Sequence, residues 1–346
     1  MTGGRQTAWP VLTPAGWWRR ILPLLALLLA AAVWGLLHGA EAVPMAAAWS
    51  LIRGQAGDPI AALILWQIRL PRVCVAMLIG GALGISGAAL QTLFRNPLAE
   101  PYLLGLSSGA AVGVYAAMFL GLQFSLLGLT GISLFALAGG LAAIGIVYAV
   151  ARVEGRLPVV SLILAGVVVD AVLSALILFA ASILETGRVM ALTVWLLGRI
   201  ERLDPLPLAV TAIYVLTGAA LLTREAPRLN ALVLGEDAAQ ALGIRVERLK
   251  RRVLLLTAAL TAVAVAVSGL IGFIGLIVPH AARRLWGPDH RLALPGSFLL
   301  GAVVLVLADG IGRMLLRPAE LPVGVVTAVC GGPLFLVLMR LRRIDA

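Results

Sequence analysis

Residues 101–151 carry no Asp, Glu, Lys or Arg over 51 consecutive positions. As helix at ~1.5 Å per residue this is ~77 Å, more than twice the ~30 Å hydrocarbon core of a bilayer. It therefore predicts two crossings with a turn in Gly121–Gly131. Similar uncharged stretches recur at Ile21–Ala40, Val73–Phe94, Leu157–Leu184 (interrupted by Asp170), Leu206–Thr223, Leu292–Gly312 and Leu321–Met339. Apolar residues make up 61% of the chain and charged residues 12%. Soluble domains average ~45–50% and ~25%, so a soluble enzyme is excluded, and so is a disordered chain.

Val253–Ala282 is too long for one crossing and short for two. The Gly-rich piece Ser268–Gly275 offers a break. Arg5, Arg19 and Arg20 flank the first span, and Arg340, Arg342 and Arg343 flank the last. Positive residues favour the cytoplasmic side, so both termini are expected there and the crossing number must be even. Breaking the stretch at Gly269–Gly275 gives ten spans with a short eighth helix. This topology places 19 of the 27 Lys and Arg residues in cytoplasmic segments and eight outside. The net charge of +11 then needs no nucleic acid. Trp17, Trp18 and Trp286 fall at the inner interface, and Trp49, Trp66 and Trp195 at the outer one, as Trp prefers. The first apolar segment lacks a convincing cleavage site and is expected to be retained.

The sequence contains no G-x-x-x-x-G-K-[ST] motif, and its only lysine is Lys250. The chain cannot cradle nucleotide phosphates by itself. His38, His280 and His290 are scattered, with a helix-end role expected for His280. Two cysteines, Cys74 and Cys330, give neither a disulfide framework nor a metal cluster. No nucleophile–base pair supports an intramembrane enzyme. Asp170 and Asp309 are intramembrane carboxylates, which an ion-coupled secondary transporter would require. Structural pairing is the expectation for both, with Arg313 one turn beyond Asp309 as its partner.

Three motif groups stand out. The first is Arg69-Leu-Pro-Arg72, then Ser86-Gly-Ala-Ala-Leu-Gln91, Arg95-Asn-Pro-Leu-Ala-Glu-Pro101 and Leu104-Gly-Leu-Ser-Ser-Gly-Ala110. The second is Leu229-Asn-Ala-Leu-Val-Leu-Gly-Glu-Asp-Ala-Ala-Gln-Ala-Leu-Gly243. The third is Gly272-Phe-Ile-Gly-Leu-Ile-Val-Pro-His280, followed by Asp309 and Glu320-Leu-Pro-Val-Gly-Val-Val-Thr327. Together, over roughly residues 20–340, the chain closely resembles the FecCD-type permeases, the membrane subunits of ABC importers for vitamin B12, haem and iron-siderophores.

The resemblance implies an all-α polytopic membrane protein with ten transmembrane helices in the type II importer fold of the vitamin B12 permeases. It implies one transmembrane permease domain over 1–346, with a cytoplasmic coupling loop at 224–252. It implies a homodimer in the bacterial inner membrane, two separate ATPase subunits that bind ATP and Mg, and a periplasmic binding protein. No cofactor is expected on this chain. By resemblance, Arg69, Arg72 and Arg313 (with Arg317 as a weaker candidate) dock carboxylates of the binding protein. Asn96 and Leu98 contribute to a cytoplasmic gate. Leu232, Gly235, Glu236, Asp237, Ala241, Leu242 and Gly243 couple to the ATPase. Leu229, Leu232, Leu242 and Ile244 are expected to fill a partner's cleft, on two short helices broken at Gly235. The second gate segment, near Val159–Ser161, has valines where the vitamin B12 permeases have a polar pair. The implied cargo is an iron complex, haem or ferric siderophore, ahead of vitamin B12. Tyr102, Tyr115 and Met118 are the available haem-ligand types, and helix packing accounts for them equally well.

Overall fold

A computed structural model describes residues 12–344 except 40, 42, 46–48, 50–52, 54–58, 123, 127, 184, 317 and 318. The expectations for Arg5 and Arg317 lie outside the described residues. Ten helices match the expected spans: α1 (Pro14–Leu37), α2 (Pro59–Leu93), α3 (Leu106–Phe119), α4 (Gly131–Ala151), α5 (Val159–Ile183), α7 (Pro205–Arg224), α10 (Val246–Ser268), α11 (Ile274–Trp286), α12 (His290–Leu315) and α13 (Val323–Ile344). Three short α-helices, α6 (Thr186–Leu196), α8 (Ala226–Val233) and α9 (Glu236–Ala241), and a 3-10 turn at Pro101–Leu104 lie between them. A two-stranded hairpin, Ser125–Leu126 with Leu129–Thr130, turns the chain between α3 and α4.

The long apolar stretch breaks where glycine predicts it. Gly269 at φ 68° ends α10, and α11 begins after Phe273, itself at φ 68°. The break is pinned from the α2–α3 connection. Phe273 N donates to Glu100 Oε1 at 2.9 Å, and Tyr102 Oη donates to the Ile271 carbonyl at 3.1 Å.

Two boundaries differ from expectation. First, α2 starts 14 residues before Val73, so Arg69 and Arg72 lie within a helix and not in a loop. Charge marks a span's end only where it stays solvated, and these side chains find partners inside the protein. Second, residues 246–252 are the first turns of α10, so the connecting segment is 225–245, shorter than the expected 224–252.

Prolines within helices remove an N–H and orphan the carbonyl four residues earlier. In an apolar surrounding that carbonyl needs another donor, and three of them find one. Pro71 follows a π-helical segment, Leu63–Arg69, and the Gln67 carbonyl accepts from Arg202 Nη1 at 3.4 Å. Pro279 frees the Gly275 carbonyl, which accepts from Gln91 Nε2 at 3.2 Å. Pro295 frees the Arg291 carbonyl, which accepts from Trp17 Nε1 at 3.0 Å.

The most extensive packing joins α2 to α12. It is a glycine seam: a Cβ at Gly80 would lie 2.3 Å from the Gly301 carbonyl oxygen, and one at Gly84 2.2 Å from that of Ser297. Backbones approach this closely only where no Cβ intervenes. By contrast, α5 exposes Val160, Leu164, Val167, Val168 and Leu176.

Trp17 and Arg20 of α1 bond the Arg291 and Trp286 carbonyls, which sets the start of α1 beside the ends of α11 and α12. We call this the basic face. Helix α13 starts at the opposite face, where Gly324 packs on the Leu197 and Leu270 carbonyls, and runs back towards the basic face.

Candidate functional sites at the two faces

At the opposite face, α1, α2 and α12 bring Arg69, Arg72 and Arg313 together around Asp309 and Glu320. Asp309 is buried on α12. Arg72 Nη2 donates to its Oδ1 at 2.9 Å and Arg72 Nε to Oδ1 and Oδ2 at 3.1 and 3.2 Å. Arg313 Nε lies 3.1 Å from Asp309 Oδ2, off the hydrogen-bonding direction, while its Nη2 donates to the Gly35 carbonyl at 3.0 Å. The expected Asp309–Arg313 pair is therefore present, with Arg72 as a second and better-oriented partner. Arg69 donates to the carbonyls of Leu36 at 2.7 Å and Leu37 at 2.9 Å, and also to that of Glu41.

Arg69 and Arg313 are only 4% and 3% exposed. This corrects the expectation of three arginines open on an outer surface. Their charge is needed where the end of α1 presents unpaired carbonyls and where Asp309 is desolvated. Arg72 alone reaches outward: its Nη1 donates to Glu320 Oε2 at 2.8 Å, and Glu320 is 28% exposed. A shallow cleft of about 180 Å³ opens here, lined by Glu41, Ile64, Ile68, Glu320 and the three arginines.

At the basic face, Arg95 at φ 48° lies two residues beyond α2, and Asn96 Oδ1 accepts from Leu98 N at 2.9 Å. The side chain thus closes a tight turn before Leu98, which is exposed. Arg95 Nη2 also donates to the Leu232 carbonyl at 3.1 Å, tying this turn to α8.

Helices α8 and α9 form the expected pair, separated by Gly235 at φ 128°. Their burial corrects the expected contact surface. Leu229 and Leu232 are 0% and 1% exposed and belong to the protein's own core. Val233, Leu234 and Leu242 point outward, as do Asp237, Ala241 and Gly243. An eight-residue helix lying on the bundle needs an inward apolar stripe, and Leu229 and Leu232, three apart, supply it. Ile244 is half-buried. Glu236 is held by Lys250 Nζ at 2.8 Å, and Lys250 also reaches Glu247 Oε1 at 3.2 Å and the Leu157 carbonyl at 3.3 Å. This buried lysine fastens α9 to α10 and to the start of α5.

A second link was not legible in the sequence. Asn230 Nδ2 donates to Asp289 Oδ1 at 2.8 Å, while its Oδ1 accepts from His290 N at 2.9 Å and meets His290 Nδ1 at 2.7 Å. The other ring nitrogen, Nε2, lies 2.6 Å from Thr92 Oγ1, in the last turn of α2. The path Asn230–His290–Thr92 connects α8 through the cap of α12 to the residues just before the Asn96–Leu98 turn. Burial opposes charge on Asp289, but hydrogen bonds from Arg291 and Asn230 prevail and hold its carboxyl down at about 2. His280, expected at a helix end, lies in the middle of α11. His290 joins three helices, and only its position after an N-capping Asp289 could have signalled it.

Inside the bundle, Asp170 of α5 accepts from Ser108 Oγ at 2.8 Å. Tyr102 is engaged with Ile271, as packing accounts for it. Among the described residues no group of three His, Cys, Asp or Glu side chains is arranged to hold a metal.

The profile of the FecCD transport family matches residues 27–341. The cobalamin import system permease protein BtuC of Halobacterium salinarum is 42% identical over 83% of this chain and 76% of its own length. The hemin transport system permease protein HmuU of Yersinia pestis is 42% identical over 80% and 83%. A solved structure described as an inward-facing conformation of an ABC transporter, assigned to the metal-chelate type, superposes with a TM-score of 0.83. It has 33% identity and covers 93% of this chain and 99% of the other. With seven helices among the described residues long and apolar enough to cross a membrane and shorter apolar helices beside them, a profile match across nearly the whole sequence and relatives of this similarity, the chain belongs to the FecCD transport family, as a multi-pass ABC transporter permease.

Proposed function

We propose that this permease carries a metal chelate, an iron complex of the haem or ferric-siderophore class, across the bacterial inner membrane into the cytoplasm. In this reading two copies enclose the path, two ATPase subunits bind the basic face, and a periplasmic binding protein delivers cargo to the opposite face. Both termini are then cytoplasmic. The carrying observation is the Asn230–His290–Thr92 link, which joins an exposed helix pair to the end of α2 beside a fixed turn.

An ATPase gripping Leu234, Asp237, Ala241, Leu242 and Gly243 would load both α8, which carries Asn230, and α9, which Lys250 ties to α10 through Glu236. Asn230 and Arg95 would pass that displacement to the end of α2. Asn96 and Leu98 would open or close the inner mouth, and Val160, in the second expected gate segment, is exposed at the start of α5. Exposed apolar side chains along α5 suit contact with a second copy or with the path.

At the opposite face Arg72 is the docking residue with a replaceable partner. A carboxylate from the binding protein would displace Glu320 from Nη1, while Asp309 keeps the guanidinium oriented. Arg69 and Arg313 position it. Coupling to a proton or sodium ion is the poorer reading, because Asp309 is committed to two arginines and Asp170 to Ser108.

Cobalamin is the second reading, because the cobalamin and hemin permeases above are equally similar to this chain. The test is uptake by vesicles holding this permease, its ATPase and its binding protein, offered haem, a ferric siderophore or cobalamin. ATP-dependent accumulation of an iron chelate is expected. Accumulation of cobalamin alone selects the second reading, and concentration of solute by the permease without ATPase refutes both.

A further inference from the structure

At the basic face, beside the coupling helices, a cleft of about 280 Å³ is lined by Arg228, Arg245, Arg248 and Arg252 with Glu225, Ile244 and Leu249. Four arginines face one carboxylate there. Glu225 is shared, at 2.5 Å from Arg228 and 3.5 Å from Arg252. Arg245 and Arg248 make no ion pair among the described residues and are exposed. The cleft therefore holds an excess of three positive charges. It lies at the start of α10, whose first-turn N–H groups add positive potential. Arg248 also lines an adjoining cleft with Arg152, Arg251 and one carboxylate, Glu247, so an excess of positive charge continues beside the first cleft.

Going towards the membrane interior the surface changes character within one turn. Leu255, three residues beyond Arg252 on α10, is 53% exposed. Leu221, four residues before Glu225 on α7, is 38% exposed. Residues three and four apart share a helix face, so both leucines sit directly above the cleft. Guanidinium groups below exposed leucines match a phosphate below acyl chains.

We infer that this cleft binds the headgroup phosphate of an anionic glycerophospholipid, with its acyl chains against Leu221 and Leu255. Arg245 and Arg248 are the free phosphate donors, and Arg228 and Arg252 close the site from either side of Glu225. Inorganic phosphate would use the same arginines but none of the apolar shoulder.

The test is native mass spectrometry of the delipidated full-length permease, titrated with phosphatidylglycerol, phosphatidylcholine or inorganic phosphate. One phosphatidylglycerol per chain is expected, with an apparent affinity about tenfold or more above that for phosphatidylcholine, and weakening as salt rises. The double variant R245Q/R248Q, with helix content checked by circular dichroism, is expected to lose that preference. If the variant does not fold, the salt titration of the unaltered chain decides. Equal retention of the two lipids, salt-insensitive binding, or phosphate binding without lipid binding overturns the proposal. So does a folded variant that keeps phosphatidylglycerol but loses its ATPase, since the arginines would then serve an acidic protein surface.

Discussion

Replacing Asn230 with Ala removes three hydrogen bonds at once: to Asp289 Oδ1, and from His290 N and Nδ1. A neutral hydrogen bond contributes about 1 kcal/mol net, and one to a charged group about 1.5–3. The sum is about 3.5–5 kcal/mol, several hundredfold or more in any equilibrium that depends on these bonds. Arg95 still bonds the Leu232 carbonyl, and Leu229 and Leu232 remain buried, so α8 stays on the bundle. The N230A permease should still bind its ATPase and hydrolyse ATP. Its transport per ATP hydrolysed, measured on the same vesicles, should fall about tenfold or more. Thr92→Val cuts the same path at its other end, so the double variant should be scarcely worse than either single one. Effects that add within about 0.5 kcal/mol would mean the two residues act independently. That result, or an unchanged transport-to-hydrolysis ratio in N230A, would refute transmission through His290.

Asp309→Asn leaves the buried Arg313 guanidinium without its carboxylate and Arg72 with Glu320 alone, and should cost about 3–5 kcal/mol in thermal or denaturant unfolding. Glu320→Gln, at a partly exposed position, should cost about 1 kcal/mol or less; equal losses would contradict the assigned burial. Leu232→Asp should prevent folding, whereas Leu242→Asp should give a folded permease that no longer copurifies with the ATPase. The reverse pattern would invert the proposed contact surface. The Asp289 carboxyl is held down to about 2 from an ordinary 3.8, so its contribution to stability is present above 3.8 and lost as pH falls towards 2. Asp289→Asn should flatten acid unfolding in that window; an unchanged acid limb would show that this cap does not matter there.

Spans were legible because lipid imposes a simple requirement on them: about twenty residues without unpaired charge. The glycine break at 269–275 followed from length and charge parity. The same criterion failed at Arg69 and Arg72, because composition reports charge and not whether it is compensated by a residue 237 positions away. Leu229 and Leu232 were expected to fill a partner's cleft, because an apolar pair three apart on a short helix reads the same whether it faces a partner or the protein's own core. His290 read only as one of three scattered histidines and Lys250 only as the single lysine, since partners such as Thr92 and Leu157 come from segments distant in sequence. Asn96 was legible, because the proline after it and its short side chain define a local turn.

The glycine seam between α2 and α12 has a mechanical consequence. Where main chains interlock at distances that would exclude a methyl group, neither rod can slip or roll past the other, because no side chain is there to change rotamer. The pair should travel as a single beam, and any cycle of opening must be borne by elements hinged around it. Its ends carry the Arg72–Asp309 clasp and the Thr92–His290 contact. A push at one surface of the membrane would therefore be felt at the other as tilt, without any loosening of the interior.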